Sequence, residues 1–403
     1  MSQRYLFGPV AALADHLPEL EPSAILILAS SQRHVSALFR PLAAYETHVF
    51  DGAKVHVPVE VVEAAEARLA ETGANVVVAI GGGSPIGLGK ALVLRAAEAG
   101  RTLRFVAVPT TYAGSENTSM YGITRGRDKQ TGRDERVRPE IIVADVELTL
   151  DLPLVLTVQS LMNSIAHVAS VLSTDSLPFA NEPHRALESS TDAATAARTV
   201  VATIERLIAD PRDRDARSKA LIYAGACAKA FDRGKAGVQH AFAHLLGGAF
   251  RIDHAPLHSI LLPRFLAHVP AVRTAIENAP VGSTYGTLAR AALGIGEAAL
   301  YEQSPVIDDR GGRATEASNV AGERATEASN GAGESATEAS NVAGERDRRS
   351  RSSIAPLDAH LLDLLRRAGA PTTLGELGIT ATALDEVLAT RPELPGDIAR
   401  AAL

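Results

Sequence analysis

Short apolar runs separated by polar, helix-like stretches organise the first part of the chain. Ala24-Ile25-Leu26-Ile27-Leu28, Asn75-Val76-Val77-Val78-Ala79-Ile80, Phe105-Val106-Ala107-Val108 and Ile141-Ile142-Val143-Ala144 read as strands. Between them, 59–72 is an amphipathic stretch rich in Ala and Glu, and 87–99 is a second helical stretch. Strands alternating with helices in this way predict a mostly parallel sheet of the Rossmann-like, doubly wound kind over residues 1–152.

From residue 153 the pattern changes to long Ala- and Leu-rich segments, 153–173, 185–209, 213–231, 235–249 and a terminal set after 355, which predict an all-helical domain over 153–403. Pro153 stands where a helix start tolerates proline, and Pro211 ends one segment. Residues 314–346 fit neither pattern. They repeat an eleven-residue unit, Ala-Thr-Glu-Ala-Ser-Asn-Val-Ala-Gly-Glu-Arg, three times with small changes in the middle copy. Each copy carries at most one larger aliphatic side chain, too little to close a core, so a disordered insert at about 305–353 is expected, with Arg346–Arg351 as its solvated end.

Composition narrows the partners more than the fold. The 403 residues are 46% hydrophobic and 22% charged, ample for two cores. A net charge of -7 gives no reason to expect nucleic acid, whose phosphates need a concentrated positive face. One cysteine, Cys227, excludes an intramolecular disulfide and suits a reducing compartment. With no basic-then-apolar start and no run of about 18 apolar residues, a cytoplasmic protein without a membrane partner is expected.

Two loops carry the candidate chemistry. The run Val76 to Ile80 leads directly into Gly81-Gly82-Gly83-Ser84-Pro85-Ile86-Gly87 and then a helix bearing Lys90. Successive glycines let the backbone approach a ligand, and the free N–H groups of a helix N-terminus attract an anion, so a pyrophosphate fits. The spacing is not that of the G-x-G-x-x-G dinucleotide fingerprint. The second loop, Pro109-Thr110-Thr111-Tyr112-Ala113-Gly114-Ser115-Glu116, follows a neighbouring strand. In a parallel sheet the two loops converge at the carboxyl edge, which lets Thr110, Thr111 and Ser115 share the ligand of Gly81, Gly82, Gly83 and Ser84. Farther along, Asn163 and His167, and again His240 and His244, stand four apart on one helical face, the latter pair followed by Gly247-Gly248.

These motifs, with Thr131-Gly132-Arg133-Asp134-Glu135-Arg136-Val137 and the stretches 50–53 and 56–65, resemble the maleylacetate reductases, a branch of the iron-containing alcohol dehydrogenase superfamily with a dehydroquinate synthase-like fold. The resemblance implies a homodimeric reductase that uses NADH or NADPH on an unsaturated oxo-dicarboxylate. It implies cofactor binding at the two loops and Lys129, substrate binding by Tyr112, Arg133, Arg136 and Asn163, and catalysis by His240, His244, His254 and His167. Lys129, Arg133 and Arg136 are expected in one loop between the domains, arginine supplying the bidentate fork a carboxylate needs.

Metal-dependent relatives carry an aspartate where this chain has Gly87 and bind metal through one Asp and three His, at positions matching Asn163, His167, His240 and His254 here. A neutral amide is a weak ligand for a divalent ion, so action without metal is expected, with His167, His240 and His254 as the ligands if one is bound. Four positions depart from the reductase pattern: Gln239 for a histidine, Leu161 for a glycine, Ser170 for a glutamate and Arg264 for a histidine. The alternatives are a metal-dependent alcohol dehydrogenase and a catalytically degenerate binding protein. The loop Ala29-Ser30-Ser31-Gln32 has no acidic residue to select a free ribose hydroxyl, and only Arg33 could meet a 2′-phosphate.

Overall fold

The computed structural model describes residues 3–126, 128–173, 183–234, 237–282 and 355–403, and excludes the side chains of residues 128, 129 and 183–190. The repeat 314–346, the whole insert assigned to about 305–353, and Arg346–Arg351 lie outside the described residues. The fold set out here belongs to one compact unit, Met1–Leu300 with Leu357–Leu403.

Among the described residues eight strands are formed: β1 (Arg4–Phe7), β2 (Ile25–Leu28), β3 (Thr47–Phe50), β4 (Val76–Gly81), β5 (Arg104–Pro109), β6 (Met120–Arg125), β7 (Asp128–Arg133) and β8 (Ile141–Ala144). Six make a single sheet in the order β1-β8-β5-β4-β2-β3, with every neighbouring pair parallel. Both faces are covered. Ile25, Ile27, Val76, Val78, Val106 and Val108 face a layer completed by Leu13, Leu17 and Leu38, the last on the short helix α1 (Ser36–Phe39). Leu26, Leu28, Val77, Ala79 and Ala107 face the helices α2 (Val59–Thr72) and α3 (Gly83–Glu98). Burial on both sides is the reason these strands are continuously apolar in sequence.

From β2 the chain turns to β3 on one side, then crosses to β4 on the other, which puts the topological switch point between β2 and β4. The loops after β2, β4 and β5 therefore gather at the carboxyl edge, where open parallel sheets receive their ligands. The remaining strands, β6 and β7, pair as an antiparallel hairpin beside this edge. That corrects the expected loop: Lys129 and Arg133 lie on β7, and Arg136 lies in a short 3₁₀ turn, Glu135–Val137.

The helical half comprises α4 (Leu154–Leu172), α5 (Pro183–Ala209), α6 (Arg214–Arg233), α7 (Val238–Phe250), α8 (His254–His268), α9 (Pro270–Glu277), α10 (Leu357–Arg367), α11 (Ala381–Leu388) and α12 (Gly396–Arg400). Helix α4 is its centre, buried from Thr157 to Val171 and packed against α5, α6, α7 and α8. By length and composition α4 could cross a bilayer, contrary to the sequence expectation, but 83% of its apolar window is buried inside the protein. Its apolarity is that of a core helix. Helices α8 and α9 were not expected, because Pro256 and Pro263 interrupt the sequence pattern; Pro263 is accommodated within α8.

Candidate active site

The glycine turn is the most locally determined part of the site. Gly81 has φ +141°, a conformation that glycine alone adopts without strain. A Cβ at Gly82 would come within 3.0 Å of the Thr111 methyl, so the first loop is pressed against the second with no room for a side chain. Gly82 then caps α3, whose N-terminus has no side-chain cap and no acidic residue in its first turn. The Ser115 hydroxyl is buried without a hydrogen-bond partner among the described residues. An uncapped helix start, a cradle that a Cβ would fill and an orphaned hydroxyl all fit a dinucleotide pyrophosphate.

One cavity of about 680 Å³ joins this turn to the helical half. Its walls include Gly83, Ser84, Thr111, Ser115, Arg133, Asn163, His167, His240, His244 and His254, all anticipated from sequence. Gly81, Gly82, Thr110, Tyr112 and Arg136 are not among its walls. Thr110 donates its N–H to the Gly81 carbonyl and so holds the two loops together. Tyr112 is fully buried and accepts a hydrogen bond from Arg217, while Ser164 donates to its carbonyl, so it clamps the loop to α4 and α6. Arg136 is exposed and folded back on Asp134 in a bidentate pair, because the carboxylate two residues away is the nearer partner. The Lys129 side chain lies outside the described residues. Arg133 reaches the cavity, and its guanidinium also donates to the Asp232 and Gly234 carbonyls. Arg33 donates to the Asp151 carbonyl at 2.8 Å, whereas Gln32 donates to Asp51, a carboxylate immediately after β3.

The structure adds walls that sequence reading did not assign to the site, among them His56, Lys90, Asp253 and His258. His258 had a signal, since it stands four after His254 as His244 does after His240. Lys90 is buried under the second loop and donates to the carbonyls of Ser115, Thr118 and Met120 and to the Thr118 hydroxyl. Burial lowers it to about 7, against the pull of Glu116 and Asp232, and burial raises Glu116 to about 7.

Among the described residues six imidazoles line the cavity, from the α2 approach, α4, α7 and α8. Phe231 stacks on His167 at 4.8 Å and on His240 at 4.3 Å. The rings of His240 and His258 lie 4.2 Å apart, and those of His244 and His254 4.7 Å apart. Burial lowers His167 to about 4 and drives His240 and His258 well below the ordinary histidine value, the neighbouring imidazoles adding to the effect on the latter two. They are neutral at pH 7. Two of the departures from the reductase pattern hold them: Ser170 Oγ lies 2.9 Å from His240 Nδ1, and Gln239 Oε1 lies 2.9 Å from His258 Nδ1. Gln239 Oε1 can only accept, so His258 carries its proton on Nδ1. Where Ser170 donates, His240 carries its proton on Nε2.

The donor set does not fit a divalent metal as it stands. Asn163 replaces the carboxylate, and among the described residues no group of three or more His, Cys, Asp or Glu is arranged to hold a metal ion.

The chain is similar to known proteins over most of its length. Residues 2–146 match the family model described as iron-containing alcohol dehydrogenase, and 184–292 match the model of that family's C-terminal part. The chain is 37% identical over 272 residues to maleylacetate reductase 1 of Cupriavidus pinatubonensis, and 39% identical over 273 residues to the maleylacetate reductase of Pseudomonas knackmussii. Each alignment covers 66% of this chain and 73% of the relative. The crystal structure of maleylacetate reductase from Agrobacterium tumefaciens superposes with a TM-score of 0.68 at 27% identity, covering 100% of this chain and 97% of that one. The glycine turn, the helical imidazole cluster and these relatives together identify the chain as a nicotinamide-dependent oxidoreductase that belongs to the iron-containing alcohol dehydrogenase family, on the branch of the maleylacetate reductases.

Proposed function

We propose that the protein reduces the activated carbon–carbon double bond of maleylacetate, or of a closely related unsaturated oxo-dicarboxylate, with NADH and without metal. The observation that carries this reading is that one cavity holds both the uncapped N-terminus of α3 and the cluster of neutral imidazoles. A reduced nicotinamide, when bound, supplies the hydride. Gly82, Gly83, Ser84, Thr111 and Ser115 would hold its pyrophosphate. Preference for NADH is supported by Asp51, which Gln32 holds at the carboxyl edge, where a carboxylate pairs with ribose hydroxyls and repels a 2′-phosphate.

Hydride addition to the carbon β to the ketone leaves an enolate. Its oxygen needs a donor fixed in advance, and the Nε2–H of a neutral His240, oriented through Nδ1 by Ser170, meets that need. Protonation of the carbon α to the ketone completes 3-oxoadipate. Absence of a carboxylate ligand at Asn163 supports the metal-free form. The test is NADH oxidation with maleylacetate and a panel of other unsaturated oxo-acids, before and after chelator treatment. Turnover that survives chelation is the expected result. Turnover that disappears and returns with iron or zinc overturns the metal-free form, and absence of turnover with every acid overturns the substrate class.

A further inference from the structure

His56 opens the stretch 56–65 but was given no role there, and its backbone is left-handed. It has φ +63°, and the β-branched Val57 after it has φ +48°, two successive residues in the left-handed region. For a β-branched side chain this is an outlier, and such outliers persist only where surrounding structure holds them. Here Thr124 on β6 supplies the hold: its hydroxyl donates to the His56 carbonyl at 2.7 Å and its N–H to the Val57 carbonyl at 3.0 Å. Gly87 makes the room. A Cβ at Gly87 would lie 2.9 Å from the Val57 methyl, so the space above Gly87, where metal-dependent relatives carry an aspartate, is filled by Val57.

The outcome of this arrangement is the position of one ring. His56 lines the cavity, packed edge-on against His254 at 5.3 Å, and it is supplied by the α/β half opposite the imidazoles of α4 and α7. The cationic side chains among the described walls, Lys90 and Arg133, already donate to backbone carbonyls. A dicarboxylate entering the cavity needs further N–H donors, and an imidazole supplies one. Resting on the proposed function, we infer that His56 is a substrate-binding, specificity-determining residue that hydrogen-bonds a carboxylate of the dicarboxylate substrate.

Two measurements on the full-length protein test this. In steady-state kinetics at saturating NADH, His56→Phe keeps the ring but loses the N–H; it should raise KM for maleylacetate at least about tenfold, with kcat within about threefold and NADH affinity within about twofold. His56→Gln should recover most of the loss, and Thr124→Val, outside the cavity, should raise KM by a smaller factor. Calorimetric titration of the NADH-loaded protein with adipate, a dicarboxylate that cannot be reduced, reads the same contact without turnover and should weaken at least about tenfold in His56→Phe. Unchanged KM together with unchanged adipate affinity in His56→Phe overturns the inference. Adipate that binds neither protein overturns it as well. A wild type that binds adipate through His56 but does not reduce maleylacetate overturns the proposed reaction and leaves the His56 assignment standing.

Discussion

The two halves of the site are built by opposite means. At the glycine turn, contiguous residues do the work: a strand, three glycines and a helix start place N–H groups with little help beyond Thr110 and Thr111. At the imidazole cluster no two consecutive residues suffice. Rings from α4, α7, α8 and the His56 bend meet only because α4 is buried among its neighbours, and Phe231 spaces two of them. A site of the first kind should fail through its backbone and cofactor affinity, and one of the second kind through protonation and chemistry.

Acid is the broadest way to break this contrast. The folded value of His167 is near 4 against 6.5 unfolded, so the unfolded chain takes up a proton first; stability present above pH 6.5 is lost as pH falls toward 4, by about 3 kcal/mol for this group alone. His240 and His258 act in the same direction. Glu116, raised to about 7, opposes them with one proton that the native state retains between pH 4.5 and 7. Three imidazoles against one carboxyl leave a net uptake of about two protons on unfolding in this window. Urea midpoints of chelator-treated protein should fall steadily from pH 6.5 to 4.5, and a flat profile would show that the cluster is solvated.

Chemistry separates the halves next. His240→Phe should lower kcat by about 10²- to 10⁴-fold, the usual worth of a positioned proton donor, while NADH affinity measured by fluorescence stays within about twofold. Lys90→Met tests the seam between the halves, since it leaves the carbonyls of Ser115, Thr118 and Met120 without their buried donor. A loss of about 3 kcal/mol in urea unfolding is expected; a change below about 1 kcal/mol would mean that water replaces the ammonium. Smallest is Gly82→Val, whose side chain must displace Thr111. It should weaken NADH about tenfold, or about 1.4 kcal/mol, and leave KM for the dicarboxylate nearly unchanged.

Legibility in the sequence followed the same division. Strands β2, β4, β5 and β8 and the turn after β4 were read nearly to the residue, because burial on both faces and a glycine requirement are written in consecutive positions. The start of α3 was placed at Gly87 instead of Gly83, since glycines and Pro85 carry no helical signal although N-terminal positions tolerate them. The resemblance assigns Tyr112 and Arg136 to substrate, and partners that neither it nor the sequence pattern shows, Arg217 and Asp134, hold them elsewhere. His56 stands in a quoted stretch, but its place in the site was not legible, because a left-handed bend at His-Val has no sequence signature.

By itself, then, the chain's order of residues determined the parallel sheet, the helical half, the glycine turn after β4 and the absence of a carboxylate at Asn163. Each of these depends on side chains near one another in sequence, whose periodicity or conformational need is local. Only the tertiary structure decided which imidazoles share the cavity, that Ser170 and Gln239 set their ring nitrogens, and that Val57 fills the space above Gly87. Those depend on contacts between residues tens to hundreds of positions apart, and such contacts follow from how whole elements pack.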